Sequence, residues 1–377
     1  MIGRQLEGNI RSWLDKGKAI ILIGPRQVGK TTLIRKITES LNRKTLWLTG
    51  DDPAARVMLE NISLAQLKTV VGHNEIVVVD EAQRLHNAGL TLKLITDHLP
   101  AVQLLVTGSS SLDLAAETKE SLVGRKFEYR LFPLSFVEMS THHGYLAEHA
   151  LLEHRIVYGY YPEVVKNGPA QAQKILNELA EGLMYKDLLA MDQLKKPSLL
   201  VKLLQALALQ LGSEVSYHEV AQRIGADPQT VERYIDLLEQ SFVLFRLPSL
   251  SRNARNEIKK GRKVYFLDNG IRNSIIRNFN PLALRQDTGA LWENFLFAER
   301  LKRNVYNDYF CNTYFWRTTT QQEIDYIEEY GGTLHAFEFK WRPRKPARFP
   351  KAFLQAYPDS ETQRIDSSNF EGFVGMG

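Results

Sequence analysis

Apolar and polar positions along this chain follow three rhythms, each confined to its own stretch. Near the start, the apolar residues form short unbroken runs. Ala19–Ile23 is one. Ile76–Val79 is another, made wholly of β-branched residues, which predicts a strand buried on both faces of a parallel sheet. Gln103–Thr107 and Phe127–Leu131 predict two more strands, and Thr32–Ser40 predicts a helix behind the first run. Further on, the period becomes helical. Leu199–Leu211 is strongly apolar, and Ser216 with Glu219 forms a capping box that opens a helix stopping at Gly225. Asp227-Pro228 caps a third helix, whose Val231, Tyr234, Ile235 and Leu238 fall at i, i+3, i+4 and i+7. With the strand-like Phe242–Leu247 behind them, these helices predict a winged helix-turn-helix. Late in the chain, the alternating runs Glu323–Tyr330 and Thr333–Lys340 flank Gly331-Gly332, which predicts a hairpin with a two-residue primed turn. Counting outward from Tyr330 and Thr333 sets Asp325 opposite Glu338, with Lys340 on the same face.

Composition adds bounds to this outline. At 377 residues the chain is too long for one ordinary core, so several domains are expected. The formal charge of +5 is mildly basic and permits a nucleic-acid partner. Cys311 is the single cysteine, which rules out an intrachain disulfide and fits a reducing interior. No apolar run approaches the ~18 residues that a membrane span needs, and Met-Ile-Gly-Arg-Gln-Leu lacks a signal peptide's apolar core. A cytoplasmic protein without membrane partners is expected.

Gly24, Pro25, Arg26, Gln27, Val28, Gly29, Lys30 and Thr31 make a full G-x-x-x-x-G-K-[ST] loop between a strand and a helix. Its backbone N–H groups and the helix N-terminus suit a β-phosphate, Lys30 suits the β/γ oxygens, and the Thr31 hydroxyl suits Mg²⁺. Thr32 joins the expected nucleotide contacts. Asp80 and Glu81 follow the Ile76–Val79 run, at the strand end where parallel sheets bind ligands. Asp80 is the expected Mg²⁺ holder through water, and Glu81 the expected base for the attacking water. Ser109 and Ser110, after the Gln103–Thr107 strand, are alternative contacts for the γ-phosphate or that water. Arg125, ahead of the Phe127–Leu131 strand, suits an arginine finger offered to a neighbouring subunit. The plainer alternative is a surface pair with an acid such as Glu128.

Two carboxylates forced together on a strand pair repel unless a divalent cation sits between them. Asp325 and Glu338 are therefore candidate ligands for Mg²⁺ or Mn²⁺, and Lys340 could orient or deprotonate a metal-bound water for phosphodiester hydrolysis. A salt-bridged ladder is the alternative. Lys340, Arg342, Arg344, Lys345, Arg348 and Lys351 form an acid-free run, with prolines 343, 346 and 350, that suits a phosphate backbone. Arg246, Arg252, Arg255, Lys259, Lys260, Arg262 and Lys263 form a second basic stretch, with only Glu257 against it. The third helix of the winged segment has no net positive charge, so phosphate contact without base reading is expected.

Pro-Arg-Gln-Val-Gly-Lys-Thr, Val-Val-Asp-Glu-Ala-Gln, Thr-Gly-Ser-Ser, Gly124-Arg125 and Phe132–Glu138 follow one another as in the prokaryotic AAA+ ATPases of the AAA_14/DUF4143 group, which the whole chain resembles. The resemblance implies an α/β fold in four parts: an AAA+ core at 1–145, a helical lid at 146–195, a winged helix with basic linker at 196–262, and a restriction-endonuclease-like domain at 263–377. It also implies that a lid segment, here Gly159-Tyr160-Tyr161-Pro162, lies near the nucleotide. Tyr160 stands where the family has a second glycine, so Pro162 is the residue carried over. The C-terminal hairpin looks like the PD-(D/E)XK nuclease fold, and Glu293 matches that fold's helical glutamate as a further metal ligand. The expected protein is a ring-like homo-oligomer that hydrolyses ATP to act on duplex or branched DNA without sequence preference. The alternative is a nucleotide-controlled switch whose last domain only binds DNA or protein.

Overall fold

The computed structural model describes residues 1–109, 122–182, 196–251, 261–318, 320–342 and 349–376. The chain forms two compact units. The first comprises Met1–Leu134 with Gln240–Phe242, and the second Ser135–Glu239 with Val243–Gly377.

The first unit is α/β. Strands β1 (Ala19–Ile23), β2 (Thr45–Thr49), β3 (Ile76–Asp80), β4 (Gln103–Gly108) and β5 (Lys126–Arg130) form one sheet in the order β2-β3-β4-β1-β5. Every neighbouring pair is parallel. All five side chains of β1 are buried, as are the first four of β3. Each large aliphatic among them contributes roughly 1.5–3 kcal/mol by leaving water. β2 has no continuous apolar run, because only Leu48 of its five side chains is buried. It forms the sheet edge beside β3, and the sequence pattern does not announce it. The helix behind β1 is Lys30–Leu41, two residues longer at its start than the apolar pattern predicts.

In the second unit, helices Pro197–Leu209, Tyr217–Ile224 and Pro228–Gln240 precede β7 (Leu244–Pro248) and β8 (Arg262–Phe266). With the two-residue β6 (Glu214–Val215) these strands form an antiparallel sheet in the order β6-β8-β7. Ser216 caps the second helix through the Glu219 N–H, and Asp227 Oδ1 accepts the Thr230 N–H at 2.7 Å to start the third. A second sheet has the order β12-β11-β10-β9, from β9 (Asn312–Arg317), β10 (Glu323–Tyr330), β11 (Thr333–Phe339) and β12 (Glu361–Ile365). The long helix Thr288–Tyr306 belongs to this unit, as does a core of Trp316, Ile324, Ile327, Ala336, Phe353 and Tyr357. The hairpin register is Tyr330↔Thr333 through Tyr326↔Phe337, and the turn glycines take φ 58° and 84°. Both values are positive, as a type I′ turn requires. The paired ladder ends there, one step short of Asp325 and Glu338.

Helices Phe136–His143, Tyr145–Ala150, Leu152–Tyr158, Pro162–Val165 and Pro169–Gly182 also lie in the second unit. Among the described residues, no helix is long and apolar enough to cross a membrane.

Candidate functional site

The phosphate loop takes its shape from three backbone positions. Gly24 has φ 155°, and a Cβ there would stand 2.0 Å from the Leu131 carbonyl oxygen, so only glycine lets the loop leave β1 along this path. Gln27 and Gly29 adopt φ 60° and 95°. Lys30, almost fully buried, donates from Nζ to the carbonyls of Gly24 (2.9 Å) and Pro25 (2.7 Å), so its ammonium lies across the loop mouth. Arg4 braces the outer side, donating to the Val28 and Phe132 carbonyls at 2.6 Å each. Nothing in the sequence around Arg4 announces that role.

The predicted partners meet at the tips of β1, β3 and β4, with β4 between the other two. The Thr31 hydroxyl lies 3.0 Å from both Asp80 carboxylate oxygens and donates to that carboxylate. Thr107, the buried hydroxyl near the end of β4, also donates to Asp80 and accepts the Glu81 N–H at 3.2 Å. Gln83 then links the Glu81 side chain to Ser109. Thr107 and Gln83 are residues that pattern reading missed. Their signals were a lone hydroxyl closing an apolar strand and an amide two positions after the candidate base. A hydroxyl and a carboxylate facing the loop mouth fit a magnesium ion carried with a triphosphate. Ser110 lies outside the described residues.

Arg125 is paired with Asp97 of helix Ala88–His98, while Glu128, the acid considered for it in the sequence, is paired with Lys126. Pro162 opens the short helix Pro162–Val165 in the second unit. Just before it, Gly159 (φ 72°) sits against Asp268, whose Oδ1 lies 2.1 Å from where a Cβ would be. The Asp268 carboxylate accepts N–H groups from Tyr160 (2.7 Å) and Ile271 (3.2 Å). The Tyr160 hydroxyl donates to Glu148 at 2.7 Å, so the residue that departs from the family pattern is committed to an internal bond.

A second cluster forms around the hairpin. Asp325 accepts the Phe339 N–H at 2.8 Å, and Lys340 Nζ lies 3.0 Å from Glu338 and 3.7 Å from Asp325. Burial and the charge of Asp325 push the Glu338 carboxyl up to about 7, against the pull of Lys340. Glu293, on the long helix, is likewise pushed up to about 7 by burial, although Lys263 lies 3.2 Å away. Lys263 is buried and also pairs with Glu323, and the Tyr265 hydroxyl donates to Glu293. Burial disfavours the charged form of Lys263, but the surrounding carboxylates raise its pKa beyond the ordinary lysine value. Glu293 is thus already served by two donors of the protein itself. Among the described residues, no three His, Cys, Asp or Glu side chains gather as a metal-holding group. Asp325 and Glu338 lie together beside the Lys340 ammonium.

Of the basic stretches, Arg246 is paired with Asp236 and Glu239, Arg262 with Glu232, and Lys263 with Glu293 and Glu323. These three are therefore engaged by protein carboxylates. Arg252, Arg255, Glu257, Lys259 and Lys260 lie outside the described residues, as do Pro343, Arg344, Lys345, Pro346 and Arg348.

Three family models match the chain in succession. They are an AAA domain over residues 16–140, a domain of unknown function (DUF8612) over 149–282, and a domain of unknown function (DUF4143) over 288–369. An uncharacterized protein of Mycobacterium tuberculosis is 26% identical over 341 residues, covering 89% of this chain and 73% of its own. An uncharacterized protein of Methanocaldococcus jannaschii is 21% identical, covering 96% of this chain and 84% of its own. Among solved structures, the Thermotoga maritima RuvB Holliday junction branch migration motor aligns over 68% of this chain and 95% of its own. The identity is 17% and the TM-score 0.33, too loose a superposition to argue from.

Proposed function

Because the chain belongs to the AAA+ ATPases of the AAA_14/DUF4143 group, we propose that it hydrolyses ATP in the cytoplasm, as a ring-like homo-oligomer, to act on duplex or branched DNA. The observation that carries the ATPase reading is the joining of Thr31, Asp80, Thr107 and Glu81 by hydrogen bonds at three adjacent strand ends. In this reading the loop N–H groups and Lys30 hold the phosphates. Glu81 accepts a proton from the attacking water, and Ser109 or Ser110 contacts the γ-phosphate or that water. Mg²⁺, held by the Thr31 hydroxyl and by Asp80 through water, would neutralise phosphate charge. Gly24–Gly29 and Thr32 line the same loop, Pro162 is the proposed lid contact, and Arg125 is the proposed finger for a neighbour. That last role requires Arg125 to leave Asp97. The net charge of +5 and the acid-free run ending at Lys351 support DNA as the target.

For the last domain, Asp325 and Glu338 are the proposed ligands of one Mg²⁺ or Mn²⁺, with Lys340 beside them to hold or take a water proton during DNA cleavage. Glu293 is proposed as a further ligand only after release from Lys263. The internal pairing of Glu293 with Lys263 favours a second reading, in which this domain binds DNA or protein without cutting and ATP sets assembly.

One set of assays separates the readings. The motor predicts turnover stimulated several-fold by DNA. Turnover should fall about 10²–10⁴-fold in Glu81→Gln with nucleotide binding kept, and binding should be lost in Lys30→Ala. Turnover indifferent to every DNA form would support the switch. Divalent-dependent cutting that disappears in Lys340→Ala would support the nuclease, and equal cutting by wild type and variant would sink it.

A further inference from the structure

Gln83 lies in the turn Ala82–Arg84, directly after Glu81. Glu81 has φ 50°, a left-handed conformation that ends β3 sharply and turns the chain so that the Gln83 side chain comes back to β4. There its Nε2 donates to Glu81 Oε2 at 2.5 Å and to Ser109 Oγ at 2.7 Å, while its Oε1 accepts the Ser109 N–H at 3.2 Å. Both amide protons and the amide oxygen are therefore in use. Glu81 is tied to β4 at both ends, by its backbone through Thr107 and by its carboxylate through Gln83 and Ser109.

We propose that Gln83 is a positioning residue for ATP hydrolysis, fixing one carboxylate oxygen of Glu81 so that the other faces the attacking water, and making that orientation depend on Ser109. The inference rests on the ATPase reading above and deepens it. Its chemistry is specific to an amide. A carboxylate at 83 has no proton to give Glu81, and an apolar side chain of similar size has neither donor nor acceptor. The bonds that shape the phosphate loop involve neither Gln83 nor Ser109. They include Arg4 to the Val28 carbonyl, Lys30 to the Gly24 and Pro25 carbonyls, and Thr31 to Asp80. Loss of Gln83 should thus act on the chemical step and leave nucleotide binding alone. Any event that shifts Ser109 reaches the base by the same path, without disturbing the loop.

The test measures steady-state turnover, and separately the affinity for a fluorescent ATP analogue. The proteins are wild type, Gln83→Leu, Ser109→Ala and the double variant, with Gln83→Met as a second isostere should the leucine variant fold poorly. Turnover by the wild type that Glu81→Gln abolishes is the control for the ATPase reading, and its absence would sink that reading by itself. With the control met, Gln83→Leu or Gln83→Met should lower kcat about 10–100-fold, the range that slight misplacement of a catalytic group costs. KM and the nucleotide dissociation constant should stay within about twofold. Ser109→Ala should remove the Gln83 contact to its hydroxyl together with its own contact to the phosphate side, and the double variant should lose less than the product of the two single defects, because the substitutions share one chain of contacts. A kcat within about twofold of wild type would overturn the proposal. So would a joint loss of kcat, nucleotide affinity and Tm, or a double variant whose defect is the product of the single ones.

Discussion

Gly24 shows how much of a binding loop is decided by one absent carbon. The Leu131 carbonyl oxygen occupies the space that a side chain at 24 would need, at 2.0 Å from the Cβ position. Backbone, rather than a flexible side-chain tip, would have to move. Gly24→Ala should therefore cost about 3 kcal/mol, the upper part of the range for overpacking, and weaken nucleotide binding along with it. Urea unfolding read beside analogue binding checks both. The glycines, Lys30, Thr31 and the Asp80-Glu81 pair were legible because phosphate chemistry demands these residue types at fixed spacing. Thr107, Gln83 and Arg4 were not, since a threonine, a glutamine and an arginine each serve many purposes. Only the fold brings Thr107 beside Asp80, or Arg4 beside the Val28 carbonyl.

Among elements, the hairpin of β10 and β11 was the most readable, because a Gly-Gly turn fixes register and register fixes which side chains face each other. β2 was the least, because an edge strand with one buried residue has no pattern to display. Ahead of the long helix Thr288–Tyr306 lies a charge cluster that the apolar pattern does not reveal. Asp287, next to that start, is held by Arg285 at 2.8 Å and by Arg272 at 2.5 Å. Burial alone would raise its carboxyl, but the hydrogen bonds from Arg285 and Arg272 win and bring it down to about 2 from 3.8. A carboxyl whose folded pKa is depressed stabilises the fold above its unfolded value, and that contribution fades as pH falls from about 4 toward 2. With discount for partial exposure, the amount is about 2 kcal/mol. Asp287→Asn should flatten the acid limb of a stability-against-pH curve in that window, and a limb unchanged from wild type would refute the assignment.

At the scale of the molecule, the two units divide the chemistry. The nucleotide loop and its acids lie in the first, and the carboxylate–lysine cluster lies in the second. If Arg125 serves a neighbouring subunit, Arg125→Ala and Glu81→Gln are defects in different copies. Mixing the two inactive proteins should then restore part of the turnover, and inactive mixtures at every ratio would argue against a shared site. Gly159 and Asp268 carry a consequence of another kind. Asp268 fills the space that a side chain at 159 would take, and its carboxylate gathers the N–H groups of Tyr160 and Ile271. Neither position can change alone without a clash or an abandoned pair of N–H groups. Over the history of such chains the two should have been inherited as a linked pair. Relatives that lost the glycine should have lost the aspartate as well, although more than a hundred residues separate the two in this chain.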